Sequence, residues 1–228
     1  MTNFQPITLE SHKDISILQD VDWSFIAKQM QCDIDVQEMV QSASSYPLFL
    51  VKSSKTGTLG AIALMGLLNG KNVLCSEGQD NQVAYLPKSM MNQPFSLGVD
   101  PNDDNKVIPY IHNESSLINT DTEAKGKQGA VVNVLFDENE KATGYFQQVT
   151  QQLANMHEGQ AMTGEFIQVL QSMDLLQEIE LQVKLATDEK VQIRGLFTIN
   201  EETLNTLSDV HLNSLIKNGA LPAIYALL

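Results

Sequence analysis

Basic residues are scarce in this chain: 14 stand against 28 acidic ones, for a net charge of −14. A nucleic-acid binder needs a basic footprint to neutralise phosphates, so that class is excluded. Docking on an anionic lipid surface is disfavoured for the same reason. Cysteine is scarce too. Cys32 and Cys75 lie far apart, and without an export signal they read as free thiols rather than a disulfide. The start, Met-Thr-Asn-Phe-Gln-Pro-Ile, has neither a basic nor an apolar leader segment. Long apolar runs are missing as well. The longest, Ala61 to Leu68, is broken by Gly66 and is far too short to span a bilayer. The expectation is a cytoplasmic protein, which could still serve the cell envelope from inside.

Catalytic and metal signatures are also missing. His12, His112, His157 and His211 show no paired metal spacing. His157-Glu158 resembles the opening of a zinc-protease helix, but Ala161 stands where the second histidine belongs. There is no Gly-x-Ser-x-Gly elbow, no dinucleotide fingerprint and no Walker A loop. Asp100, Asn102 and Asp104 alternate like the first ligands of a calcium loop. Asn105 replaces its obligatory glycine and Ile111 its closing glutamate, so an acidic turn is the better reading. Cys32 sits beside Asp33, an acid expected to raise its pKa and dull it. Cys75 follows an apolar run and is expected to be buried. No catalytic residue, metal ligand or cofactor is assigned.

What is present is periodicity, clearest from Thr143 to Ile199. Phe146, Val149, Leu153 and Met156 share one helical face. Gly159 interrupts the pattern, and Thr163 is expected to cap a second helix carrying Phe166, Val169, Leu170 and Met173 inward. From Ile179 the period becomes two: Ile179, Leu181, Val183 and Leu185 alternate with polar residues. A turn follows at 187–190, and Val191, Ile193, Phe197 and Ile199 return. This half-buried hairpin is expected to need the two helices over its apolar side.

Upstream, Phe4 to Leu9 reads as an edge strand, the one place where Pro6 is tolerated. Asp20 to Gln31, with the sole tryptophan Trp23, leans towards strand. Asp35 is expected to cap a helix running to Ser44, with Glu38 as its capping-box partner; this explains the paired carboxylates better than catalysis does. Leu48–Val51 and Gly60–Leu67 form a strand pair around a loop at 52–58. Asn72–Cys75 and Gln82–Leu86 are expected to form another. A helical turn begins at Pro87-Lys88-Ser89, and Phe95–Val99 and Val107–Ile111 are extended. Residues 113–133 lack any period and read as a long polar loop. Asn139 is expected to take the left-handed position in the 137–140 turn. After the hairpin, Asn200 and Ser208 cap two helices, Gly219 ends the second, and the apolar tail from Leu221 docks on the body.

Several cassettes resemble the SapC family. They are Ser45-Tyr46-Pro47-Leu48-Phe49-Leu50-Val51-Lys52, Gly60 to Gly66, Tyr85-Leu86-Pro87, Gln93-Pro94-Phe95, Leu135-Phe136-Asp137-Glu138 and Gly219-Ala220-Leu221-Pro222-Ala223-Ile224-Tyr225-Ala226. They span nearly the whole chain and are packing and turn residues. Asp80 departs from the tryptophan usual after Glu77-Gly78-Gln79. Met91-Asn92-Gln93 departs from the basic and aromatic residues usual before Pro-Phe, and the 113–133 loop looks longer than usual. The resemblance implies an accessory role in surface-layer (S-layer) or TonB-dependent outer-membrane uptake systems. Relatives often lie near genes for TonB-dependent receptors, flavin-dependent tryptophan halogenases and cupin-like proteins. It supplies no activity and no catalytic residues. A permease label given to some relatives conflicts with the lack of a spanning segment here.

The expected fold is α+β in a single domain over residues 1–228: an antiparallel, strand-rich N-terminal part packed with a C-terminal helix–β-hairpin–helix part. The expected function is that of a soluble, non-enzymatic accessory or binding protein with a protein partner or a second copy of itself. The alternative is an enzyme or small-molecule binder with a non-standard pocket, for which Tyr46, Glu77, Tyr85 and Lys88 are the candidate ligand-binding residues.

Overall fold

The computed structural model describes residues 3–54, 56–68, 70–75, 83–119, 132–185, 188 and 190–228. The strands are β1 Phe4–Pro6, β2 Ser16–Leu18, β3 Gln31–Asp33, β4 Leu48–Lys52, β5 Leu59–Leu64, β6 Phe95–Asp100, β7 Asp103–His112, β8 Ile118–Asn119, β9 Val132–Val134, β10 Leu176–Lys184 and β11 Lys190–Ile199. The helices are α1 Leu9–His12, α2 Trp23–Ile26, α3 Met39–Ser42, α4 Lys88–Met91, α5 Gly144–Ser172, α6 Glu201–Asn205, α7 Asp209–Lys217 and α8 Leu221–Ala226. Every strand pairing among the described residues is antiparallel. The fold is α+β. Its residues gather in two compact units, Met1–Ile26 with Lys88–His157 and Ala27–Pro87 with Glu158–Leu228.

The first unit holds two three-stranded sheets, β1-β7-β6 and β8-β2-β9. Pro6 lies in the edge strand β1, where its missing N–H costs no ladder bond. β6 and β7 form a hairpin turned at Asp100–Asp103. Asp100 accepts the Asn102 N–H at 3.0 Å and faces Lys106 Nζ at 3.4 Å, so the acidic run is an Asx-type turn. Gly98 is required here: a Cβ would stand 2.6 Å from the ring of Tyr110 on the neighbouring strand. Ile17, Phe95, Ile111, Leu117, Leu135, Val149 and Leu153 form the core of this unit, with Phe146 and Met156 packed against it. The face expected for the N-terminal part of α5 is the one buried.

Residues 118–119 and 132–133, expected within a loop, are strand, while 113–117 form turns. β8 and β9 flank β2, pairing Ile17 with Ile118 and with Asn133. These strands are so short that no alternation betrays them. The remainder of that polar stretch lies outside the described residues. Trp23 starts the helical turn α2 rather than a strand, because Asp22 caps it from below and accepts the Phe25 N–H. Glu140, not Asn139, takes the left-handed conformation. Asp137 Oδ1 fixes that turn by accepting the N–H groups of Asn139 and Lys141.

The second unit is built on one five-stranded sheet, β10-β11-β4-β5-β3. The 176–199 hairpin forms as its alternation predicts, but with a register shift near Ile179 and Leu181 and a positive φ at Gly195. This bulge swings Leu196 to the inside, 2% exposed, which simple alternation would put outward. In place of the two helices expected over the ribbon there is one, α5, whose Ile167 lines a cleft together with Phe197. Ile179, Leu181 and Ile193 pack into a cluster of strand residues centred on Phe49, Ile62, Leu64 and Leu196. Residues 72–75, expected as a strand, form none; Asn72 donates to Ala27 O and Val73 to Met65 O as separate loop contacts. Cys32 and Cys75 are both buried and form no disulfide.

Asn200 and Ser208 cap α6 and α7 as expected, accepting the N–H groups of Thr203 and His211. Gly219 ends α7 with φ +66°. α8 docks through Ala223, Ile224 and Leu227, and Thr198 Oγ1 bonds to the Leu227 carbonyl. No helix among the described residues is long and apolar enough to cross a membrane.

The two helices expected around Gly159 are one, α5, of 29 residues. Thr143 caps its start, accepting the Phe146 N–H at 3.2 Å. Its end is a left-handed Asp174, after which the Leu175 N–H returns to the Leu170 carbonyl and Leu175 is wholly buried. Glycine at 159 is a packing demand and not a break: a Cβ there would lie 2.5 Å from Asp35 Oδ2. Helix propensity alone predicts that Gly159→Ala stabilises by about 1 kcal/mol. The close approach predicts the opposite sign, a loss of about 1–3 kcal/mol. Urea unfolding midpoints of the two proteins decide between them.

Candidate functional site

The carboxylates of Asp35 and Glu38 are 1% and 3% exposed, so their burial must be compensated by hydrogen bonds. The local sequence supplies most of these bonds. Asp35 Oδ1 accepts the N–H groups of Gln37 at 2.9 Å and Glu38 at 3.1 Å. Glu38 Oε1 reaches back to the Asp35 N–H at 3.3 Å. This is the reciprocal capping box that the Asp-x-x-Glu spacing predicts, but it closes the turn ahead of α3, which itself begins at Met39 with Glu38 in its N-cap position. Thr163 on α5 completes it. Its hydroxyl donates to the Gly159 carbonyl at 2.7 Å and accepts the Val36 N–H at 2.8 Å. Thr163 is therefore not a helix cap; it is buried in mid-helix, fastening the capping box to α5.

Two of the four candidate residues converge here. Tyr85 Oη donates to Glu38 Oε2 at 2.7 Å, and the Tyr85 N–H donates to Ser45 Oγ at 3.1 Å. Tyr46 Oη donates to the Tyr85 carbonyl at 3.0 Å. The two tyrosines thus tie the segment before Pro87 to the end of α3. Burial pushes both phenols well above their ordinary pKa; for Tyr85 the Glu38 carboxylate, as hydrogen-bond acceptor and as charge, pushes the same way. A phenol held protonated against a carboxylate is a lock, not a base poised for proton transfer. Burial also raises the Cys75 thiol, which makes it a poor nucleophile. Lys88 begins α4 in the other compact unit. Glu77 lies outside the described residues. Sequence reasoning assigned Asp35 and Glu38 to capping but missed Tyr85 as their partner, since a contact 47 residues away leaves no local signal.

The first unit holds a second buried acid. Asp22, 2% exposed, accepts from Ser115 Oγ at 2.6 Å, Ser24 Oγ at 2.7 Å, the Phe25 N–H at 3.0 Å and Ser116 Oγ at 3.2 Å. Burial works to raise its pKa, but these four donors outweigh it and hold the carboxyl below its ordinary value. No group of His, Cys, Asp and Glu among the described residues could hold a metal ion.

A family model described as SapC matches residues 7–228, nearly the full length. The chain belongs to the SapC family. No curated protein and no solved structure matches it. The family cassettes now have structural roles in this SapC chain. Tyr46-Pro47-Leu48 places a buried phenol ahead of β4, Tyr85-Leu86-Pro87 supplies its partner, and Gly219 to Ala226 is the docked end.

Two outcomes follow for the buried acids. Tyr85→Phe removes the hydroxyl that Glu38 accepts and is expected to cost about 1–2 kcal/mol, read from chemical unfolding. The depressed pKa of Asp22 adds stability that is complete above the ordinary value of 3.8 and is lost as pH falls through the folded value. Asp22→Asn is expected to cost about 2–3 kcal/mol at neutral pH and to flatten the loss of stability below about pH 4. Thermal melts across that range check it; an unchanged acid slope would contradict the assignment.

Proposed function

We propose that this SapC-family chain is a non-enzymatic, cytoplasmic accessory protein that works by binding a protein partner. Its setting is the support of surface-layer or TonB-dependent outer-membrane uptake systems. The observation that carries the reading is the exposure of large apolar side chains on the C-terminal helices. Val210 and Ile216 on α7 are 77% and 53% exposed, and Tyr225 on α8 is 65% exposed. Apolar side chains left outward on short terminal helices suit a surface that a partner covers. The state of the buried polar groups agrees with this. Asp22, Glu38, Tyr46 and Tyr85 are engaged in hydrogen bonds inside the fold. The link to envelope systems rests on the family resemblance alone.

The test is affinity capture from native lysate with the full chain, beside gel filtration with light scattering. The expected result is a defined complex that Val210→Asp with Ile216→Asp weakens at least tenfold, with thermal stability unchanged. A strict monomer that captures nothing contradicts the proposal.

A further inference from the structure

A cleft of about 480 Å³ opens in the first unit, within the range of small-molecule sites. One face of α5 supplies Tyr145, Gln148, Val149 and Gln152, at the offsets of three, four and seven that stack on a helix. Asn92 and Gln93 come from the turn after α4, Gln19 from the end of β2, and Asn133 from β9. Six amide-bearing residues therefore line one cavity. Among the described residues no lysine, arginine or histidine lines it, and Asp20 is its one charged group.

An amide carries an acceptor and two donors without net charge. A set of them matches a ligand whose groups both donate and accept, as hydroxyls do. Gln93 is held in place as its Nε2 donates to the Ser89 carbonyl at 3.3 Å. The apolar part of the lining is Leu18, Met91 and Val149 with two rings, Tyr145 and Phe95, which stand edge to face with centroids 6.3 Å apart. Phe95 is buried in the core, so half-buried Tyr145 is the ring that can offer a flat surface to the C–H face of a pyranose.

Other ligand classes fit less well. An anion would meet Asp20 and an acidic protein with no basic group in the lining. An apolar ligand would strip water from the amides without replacing their hydrogen bonds. A metal ion would find a single carboxylate. An extended peptide is normally read by a sheet edge with alternating apolar pockets, whereas these amides stand largely on a helix face and a turn.

We infer that this cleft binds a neutral saccharide, held by the amides and stacked on Tyr145. The inference goes beyond the partner-binding proposal and does not rest on it. The test uses the full chain, labelled so that its side-chain amide groups are seen by NMR. It is titrated with maltotriose, cellotriose and chitotriose. The expected result is a saturable shift of the Asn92, Gln93, Gln148 and Gln152 amide signals with at least one of the three. Gln148→Leu with Gln152→Leu, two exposed positions, should weaken that binding at least tenfold while leaving the melting temperature unchanged. Three results overturn the inference: no saturable shift with any of the three, an equal response to end-blocked trialanine, or equally tight binding of trigalacturonate. Partner capture by the C-terminal helices is read separately, so either idea can fail alone.

Discussion

A carboxylate pair taken out of water and seated on a helix is the constraint on which the second unit turns. Asp35 and Glu38 are almost fully buried, and leaving either without donors would cost several kcal/mol. The chain meets this demand locally, with the N–H groups of the capping box, and at long range, with Thr163 and the Tyr85 hydroxyl. Each long-range tie fixes something larger. Thr163 sets the capping box against α5 at the level of Gly159. Tyr85 brings the segment ahead of Pro87 to the end of α3, and Tyr46 grips the same residue from the other side. The glycine follows from the same packing, because a carboxylate oxygen occupies the space a Cβ would take.

The first unit solves the same problem in the same way. Asp22 caps α2 and draws Ser115 and Ser116 to it across the sequence. In an acidic chain such inward carboxylates invite a catalytic reading, and their geometry argues otherwise. Their oxygens face short hydrogen bonds from the chain itself, and the phenols around Glu38 are held protonated. Chemistry at such sites would first have to break the bonds that hold the fold. The proposed functions accordingly use surfaces the fold leaves outward: the apolar C-terminal helices and the amide-lined cleft.

Local rules were legible in the sequence wherever local contacts decide the outcome. The caps at Asn200 and Ser208, the stop at Gly219, the edge position of Pro6, the 176–199 ribbon and the Asp35–Glu38 box all form as their spacing predicts. Several misreadings trace to a distant partner overriding a local preference, and others to a local bulge or cap that no pattern reveals. Gly159 looks like a helix break until Asp35 is placed beside it. Trp23 looks like a strand residue until Asp22 caps it and is held by Ser115. Leu196 is turned inward by a bulge that no alternation reveals. The strands β8 and β9 exist only as flanks of β2. Tyr46 and Tyr85 were chosen as ligand-binding candidates by position, and no local signal showed their bonds to the Tyr85 carbonyl and to Glu38. The amides of the cleft come from four separated segments and share no motif.

The seat of the acid pair is tested most directly by native-state hydrogen exchange at Val36, Gln37 and Glu38. The hydrogen bonds to Thr163 Oγ1 and Asp35 Oδ1 predict protection approaching that of β4, the central strand of the five-stranded sheet, with exchange only on global unfolding. Exchange at the rate of an exposed turn at these three amides would contradict the account.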